Sequence, residues 1–279
     1  MTLPARLADT CRVALVRPEA GICAPEETLQ LERLARDLAV PLLPAGVVPG
    51  REARCDIYLS LDETGPYLQL TGRLAPGPVR CSFDEPGMAH RRRGGQNELL
   101  GRAIGVGRRS PCRVVDCTAG FAGDAFVLAD LGAHVLLCEQ HPLIAAFLDM
   151  SLARLQAAAG DWRREVSRRM SVRAGDSRSL PATQLEAMDA LYLDPMFPLE
   201  RRSAAGKGMM LLQRLLSQGP ADSGESLLRW ALDQRVWRVV VKRPLKAPPL
   251  GNVRPSHFLS GRSVRFDVYQ IGGRIDDES

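Results

Sequence analysis

The residues best suited to chemistry are Asp194, Pro195 and Phe197, in the run Asp194-Pro195-Met196-Phe197-Pro198 that directly follows the apolar Leu191-Tyr192-Leu193. An amine attached to a planar base is a poor nucleophile, because its lone pair is delocalised into the ring. A carboxylate at 194 and the main-chain carbonyl at 195 can accept its N–H bonds and favour a more pyramidal nitrogen. An aromatic ring at 197 can stack on the base and hold the nitrogen in line with a methyl donor. A strand end stopped by proline is the plain structural alternative for the same residues.

A second constellation runs from Val114-Val115-Asp116 through Cys117-Thr118-Ala119-Gly120-Phe121-Ala122-Gly123 to Asp124. Small residues let the backbone approach a ligand, and a helix start presents free N–H groups. Neither a spaced GxGxxG nor a GK[ST] phosphate loop is present. An acid in the loop argues against a pyrophosphate and suits a cationic ligand such as S-adenosylmethionine (AdoMet). Asp116 and Gly120 are therefore candidate cofactor residues. Glu139 lies 23 positions beyond Asp116 (139 − 116 = 23), near the spacing at which a ribose-binding acid follows such a loop. In Ala174-Gly175-Asp176-Ser177, Asp176 can accept from an adenine amino group, although Asp and Ser equally favour a turn or helix cap.

These residues need strands that end beside one another. Arg113–Asp116, His134–Cys138, Met170–Arg173, Ala190–Leu193 and Val236–Val241 read as strands, and Ser263–Ile271 as a closing one. Helical patterns at Asp124–Leu131, Pro142–Ala158, Lys207–Ser217 and Glu225–Gln234 separate them. The alternation predicts an α/β fold, a doubly wound and mostly parallel sheet covered on both faces. The candidate residues then fall on successive strand C-termini, where open α/β sheets bind ligands. Residues 1–85 read as a small N-terminal α+β domain: strand Arg12–Val16, helix Glu26–Leu38, and a hairpin of Asp56–Leu61 with Tyr67–Thr71. Residues 86–110 form a basic connector with a short helix at Glu98–Ile104, and residues 111–279 the catalytic domain.

The bulk numbers agree with a globular enzyme. The chain has 279 residues, 45% of them hydrophobic, and no run long enough to span a membrane. The seven cysteines and four histidines show no metal or disulfide spacing, so no metal is expected and the thiols are expected reduced. A net charge of +5 favours a polyanionic partner. Arg91-Arg92-Arg93 is a solvated face or a phosphate contact, and Lys242 and Arg243, ending the strand before Pro244, can also meet phosphate. Arg201, Arg202 and Lys207 complete the candidate contacts to such a polyanion.

The Asp194 run resembles the [DNS]-P-P-[YFW] element of amino-group methyltransferases, with Met in the third position. Taken with Met88-Ala89-His90-Arg91-Arg92, Val115-Asp116 through Asp124 to Ala129, Val239 to Pro244, and Arg265-Phe266-Asp267-Val268-Tyr269, the chain resembles one family. These are the bacterial small-subunit (16S) ribosomal RNA guanine-N2 methyltransferases designated J. The resemblance runs from about residue 86 to the last strand and is looser before it. It implies a class I, Rossmann-like AdoMet-dependent fold, a cytoplasmic location, and methylation of a guanosine amino group in small-subunit rRNA, free or assembled. It places cofactor contacts at Gly123, Asp124, Glu139, Gln140, Asp176, Ser177 and Asp194. Gly123 and Gln140 stand where the family tends to have Arg, and Ala122 where it has Gly. The residues themselves leave other acceptors open, adenine N6 or a protein amide, as well as an RNA-binding protein without catalysis.

Overall fold

The computed structural model describes residues 11–84, 88, 96–108, 110–158, 162–195, 206–216 and 224–272. The chain divides into two compact units. The first comprises residues 1–81, 141–154 and 199–221, and the second residues 82–140, 155–198 and 222–279.

In the first unit, β1 (Val13–Val16), β2 (Leu42–Leu43), β3 (Ile57–Asp62) and β4 (Gly65–Leu70) form a sheet of order β2-β1-β3-β4. β1 is parallel to both neighbours, and β3 and β4 form an antiparallel hairpin. The tight return has a local cause. Asp62 accepts the Thr64 N–H at 2.8 Å and its hydroxyl at 2.7 Å, and Gly65 takes a φ of +122° closed to most side chains. α1 (Pro25–Asp37) starts with proline in its first turn and with Glu27 accepting the Ala24 N–H at 3.1 Å. Its buried face, Leu31 and Ala35, repeats at four-residue spacing. Arg154 holds this unit from the later segment, donating to Glu27 at 2.6 Å and to the Glu63 carbonyl at 2.8 Å.

The second unit carries seven strands in the order β10-β11-β9-β8-β5-β6-β7. They are β5 (Arg113–Asp116), β6 (His134–Glu139), β7 (Met170–Ala174), β8 (Ala190–Leu193), β9 (Arg238–Pro244), β10 (His257–Ser260) and β11 (Val264–Gln270). β7, β6, β5, β8 and β9 are mutually parallel, and β11 runs antiparallel between β9 and β10. Strands covered on both faces must be apolar throughout. Leu191, Tyr192, Leu193, Val239, Val240 and Val241 accordingly are fully buried. Each such side chain contributes about 1.5–3 kcal/mol of burial. α2 (Gln96–Ile104), α3 (Gly123–Asp130), the short α5 (Trp162–Ser167) and α6 (Ala182–Glu186), and α8 (Glu225–Leu232) belong to this unit. α4 (Pro142–Ala157) begins after β6, and α7 (Lys207–Leu216) lies in the first unit. Phe126 of α3 anchors one face, its ring 5.8 Å from Phe83 and 5.6 Å from Trp162.

The strand order decides where a ligand can sit. From β5 the chain winds outward through β6 to β7, then returns to place β8 on the other side of β5. The two helical connections leave β5 and β8 in opposite directions, which opens a crevice beyond their C-terminal ends. Asp116 is the last residue of β5, and Asp194 follows β8 directly.

Candidate active site

Side chains from several strands and one loop converge at that crevice. The loop after β5 is tied to both neighbouring strands: Cys117 N–H donates to the Tyr192 carbonyl at 2.9 Å, and Ala119 N–H to that of Cys138 at 3.1 Å. Thr118 ties it further, its hydroxyl oxygen accepting the Asp194 N–H at 2.7 Å. Ala122 ends the loop in the left-handed region (φ +61°), a conformation that costs a residue with a Cβ about 1–2 kcal/mol. That turn aims the first residues of α3, Gly123 and Asp124, back at the strand ends.

Lys242 organises the charges. Its ammonium donates to Asp124 Oδ2 at 2.7 Å and to Asp194 Oδ2 at 2.9 Å. The Tyr192 hydroxyl donates to the same Asp124 oxygen at 2.6 Å. Asp116 is buried beside them, its carboxyl Oδ1 accepting the Thr118 N–H at 3.0 Å. Two carboxylates thus share one ammonium, with the Asp116 carboxyl buried beside them. Burial, with Asp124 and Asp194 as like charges, pushes the Asp116 carboxyl up to about 8. Burial also raises Asp194, opposed by Lys242. The carboxylates in turn raise Lys242 against its own desolvation, so it stays charged. Asp194 Oδ2 is committed to Lys242, whereas Oδ1 has no hydrogen bond among the described residues. The side chain keeps 35% exposure, so Oδ1 is the oxygen left to meet a ligand.

On the other side of the loop, Glu139 ends β6, nearly buried, and accepts the Gly120 N–H at 3.1 Å. Gly120 takes φ +51°, and a Cβ there would meet only the Thr118 carbonyl, at 3.9 Å. The space over the loop is open. An excess of carboxylates, a ribose-height acid and a small-residue loop at a switch point fit a cationic nucleoside ligand.

Other expected residues fall differently. Asp176 is bound by Arg178, whose backbone N–H reaches Oδ1 at 2.8 Å and whose Nη2 reaches Oδ2 at 2.6 Å; it caps the short helical turn Ser177–Ser179. Ser177 is buried and Gln140 exposed. Lys242 and Arg243, read as phosphate contacts, both have partners within the protein. Lys242 is held between two carboxylates, and the buried Arg243 donates to the Pro248 carbonyl at 2.7 Å. Adjacent residues of a strand point to opposite faces, which explains how one reaches the crevice and the other the covering loop. Lys207 Nζ donates to the Pro78 carbonyl at 2.8 Å. Phe197, Arg91, Arg92, Arg93, Arg201 and Arg202 lie outside the described residues.

Three residues were not foreseen: Thr118, Tyr192 and Gly224. A Cβ on Gly224 would come within 2.6 Å of Pro195, and its φ of +77° needs glycine, so it gives the buried Pro195 its seat.

The family model SAM_MT, described as "Putative SAM-dependent methyltransferase", matches residues 47–271. Ribosomal RNA small subunit methyltransferase J of Cellvibrio japonicus is 40% identical over 259 residues, covering 89% of this chain and 95% of the relative. That of Pseudomonas fluorescens strain Pf0-1 is 40% identical over 92% of this chain and 95% of its own. The chain belongs to the ribosomal RNA small subunit methyltransferase J family. The solved structure of a SAM-dependent methyltransferase from Neisseria gonorrhoeae agrees in fold, with a TM-score of 0.67 and 30% identity over 94% of this chain and 96% of that one. The class I fold and AdoMet dependence that the resemblance implied therefore hold: this chain is an AdoMet-dependent methyltransferase. Among the described residues, no helix is long and apolar enough to cross a membrane.

Proposed function

We propose that this methyltransferase transfers the methyl group of AdoMet to the exocyclic N2 amine of a guanosine in the 16S rRNA of the small ribosomal subunit. The open Oδ1 of Asp194 carries the reading, since its partner oxygen is fixed by Lys242 and the pair sits at the switch point. The rRNA acceptor is what the relatives' names say of them, and the guanine amine rests on the resemblance read from the sequence.

AdoMet supplies a methyl group already activated on a sulfonium, so the protein's work is positioning and charge. Glu139 would hold the ribose hydroxyls, Gly120, Gly123 and Asp124 would line the loop around the cofactor, and Gln140 and Ser177 would edge it. Asp116, Asp124 and Asp194 would balance its positive charge. Asp194 Oδ1 accepts one N–H of the guanine amine, and the Pro195 carbonyl accepts the other. Both bonds concentrate the lone pair on nitrogen and strengthen as positive charge develops there. Phe197 would stack on the base. The amine's proton leaves through Asp194 Oδ1, a carboxylate whose basicity burial raises. Arg91, Arg92, Arg93, Arg201, Arg202 and Lys207 are the basic candidates for the RNA backbone, and such a substrate puts the enzyme in the cytoplasm.

The test is transfer of labelled methyl to small subunits and to naked 16S rRNA lacking the modification, followed by nucleoside analysis. N2-methylguanosine is expected. Label in N6-methyladenosine would change the acceptor, and no label in RNA with AdoMet saturating would overturn the reading.

A further inference from the structure

The opposite end of the parallel strands holds a second set of cations. Arg238, the first residue of β9, is 2% exposed, and no carboxylate pairs with it among the described residues. Its Nη1 donates to the carbonyls of Arg102 (3.3 Å) and Ala103 (2.8 Å) at the end of α2. Its guanidinium lies 3.9 Å over the centre of the Trp237 ring, and its buried Nε has no hydrogen-bond partner among the described residues. Gly105 permits this stacking, because a Cβ there would come within 2.5 Å of Trp237. Arg238 lines an open cleft of about 210 Å³ together with Arg102, Arg108, His257 and Gln270. Arg102 and Arg108 are exposed and make no ion pair among the described residues. Arginine does not shed its charge, and a buried charge without a counter-ion is costly, so this cleft is complementary to an anion.

We propose that this cleft is a phosphate subsite for the RNA backbone, remote from the reacting amine. The proposal rests on the RNA reading above. A guanidinium locked by an aromatic ring and two carbonyls is pre-organised for phosphate oxygens, and the open rim suits a continuing chain better than an enclosed small anion. Arg238 also opens the strand that carries Lys242 four residues later, a separation of about 13 Å at ~3.3 Å per residue.

The test uses R102E/R108E, which changes exposed side chains only, with R102Q/R108Q as the milder variant and thermal melts to verify folding. Methyl transfer to 16S rRNA should show KM raised roughly tenfold by the reversal and less by the neutral pair, with kcat within about twofold. The dependence of log K for RNA on log salt should flatten by about 1.4–1.8, two contacts at 0.7–0.9 each. Unchanged KM and salt slope in variants that still methylate rRNA overturn the subsite alone. An effect on assembled subunits with naked rRNA unaffected assigns the cleft to a ribosomal protein and also overturns it. Wild-type enzyme that neither binds nor methylates rRNA overturns the RNA reading itself, and this proposal with it.

Discussion

Asp194 and Asp176 both follow a strand of the same sheet, and both carboxylates are bound by a cation, yet they do different work. The cation on Asp176 is Arg178, two residues on, and the result is a closed turn whose oxygens are occupied. The cation on Asp194 is Lys242, which arrives on the neighbouring strand and holds Asp124 as well. It fixes one oxygen and, among the described residues, leaves the other open. A partner drawn from nearby sequence builds a turn, whereas one drawn from another strand builds a site.

The largest expected effect follows from removing the open oxygen. Asp194→Ala should lower kcat about 10²–10³-fold with circular dichroism and melting little changed. Near-normal turnover would erase the distinction between the two acids. Lys242→Met comes next. It takes the ammonium away from Asp194 and from Asp124, which keeps the Tyr192 hydroxyl, at a cost of about 1–3 kcal/mol, and should lower kcat by about 10–100-fold. Because Lys242 holds the Asp194 pKa down, the acid limb of the rate profile should move to higher pH, and Lys242→Arg should restore part of it. A rise in KM for RNA with a flatter salt dependence and no pH shift would instead return Lys242 to the phosphate role first read for it.

Much of this arrangement is legible in the residues, and what is not has a physical reason. β5 and β8 can be bounded to the residue, because a buried apolar run ends in an acid or an acid-proline pair. β10 (His257–Ser260) cannot, since three of its four residues are exposed and no alternation marks them. Pro66 reads as part of a turn but lies in β4, where an edge strand tolerates it. The position of Asp194 is plain from its motif. Its network is not: Thr118 is 76 positions away, and the lysine reaches partners 48 and 118 positions away. No local pattern encodes which oxygen stays open.

Asp116 tests the crowding that sets the site apart. Its carboxyl, held near 8 in the fold, keeps a proton through the range where the unfolded chain's carboxyl at about 3.9 has lost it. The native state therefore binds more protons between about pH 4 and 8, and stability falls as pH rises across that window. Asp116→Asn should flatten this slope in denaturant titrations. Binding of a cationic cofactor favours the carboxylate, so calorimetry of AdoMet at pH 7 in buffers of different ionisation enthalpy should show proton release that the variant lacks. Equal proton release by both proteins would place the excess charge elsewhere.

The smallest effect belongs to the acid that the turn already occupies. Asp176→Ala removes a cap on Ser177–Ser179 and the ion pair with Arg178, both near the surface. The loss should be about 1 kcal/mol in stability, with kcat within about twofold and KM for AdoMet raised less than tenfold. This outcome separates the two acids by at least an order of magnitude in turnover. A large rise in KM with kcat preserved would instead mean that Arg178 gives way to the adenine amino group, restoring Asp176 as a cofactor contact. Arg178→Ala distinguishes these cases, since freeing an adenine acceptor should tighten AdoMet, whereas loosening a turn should weaken it.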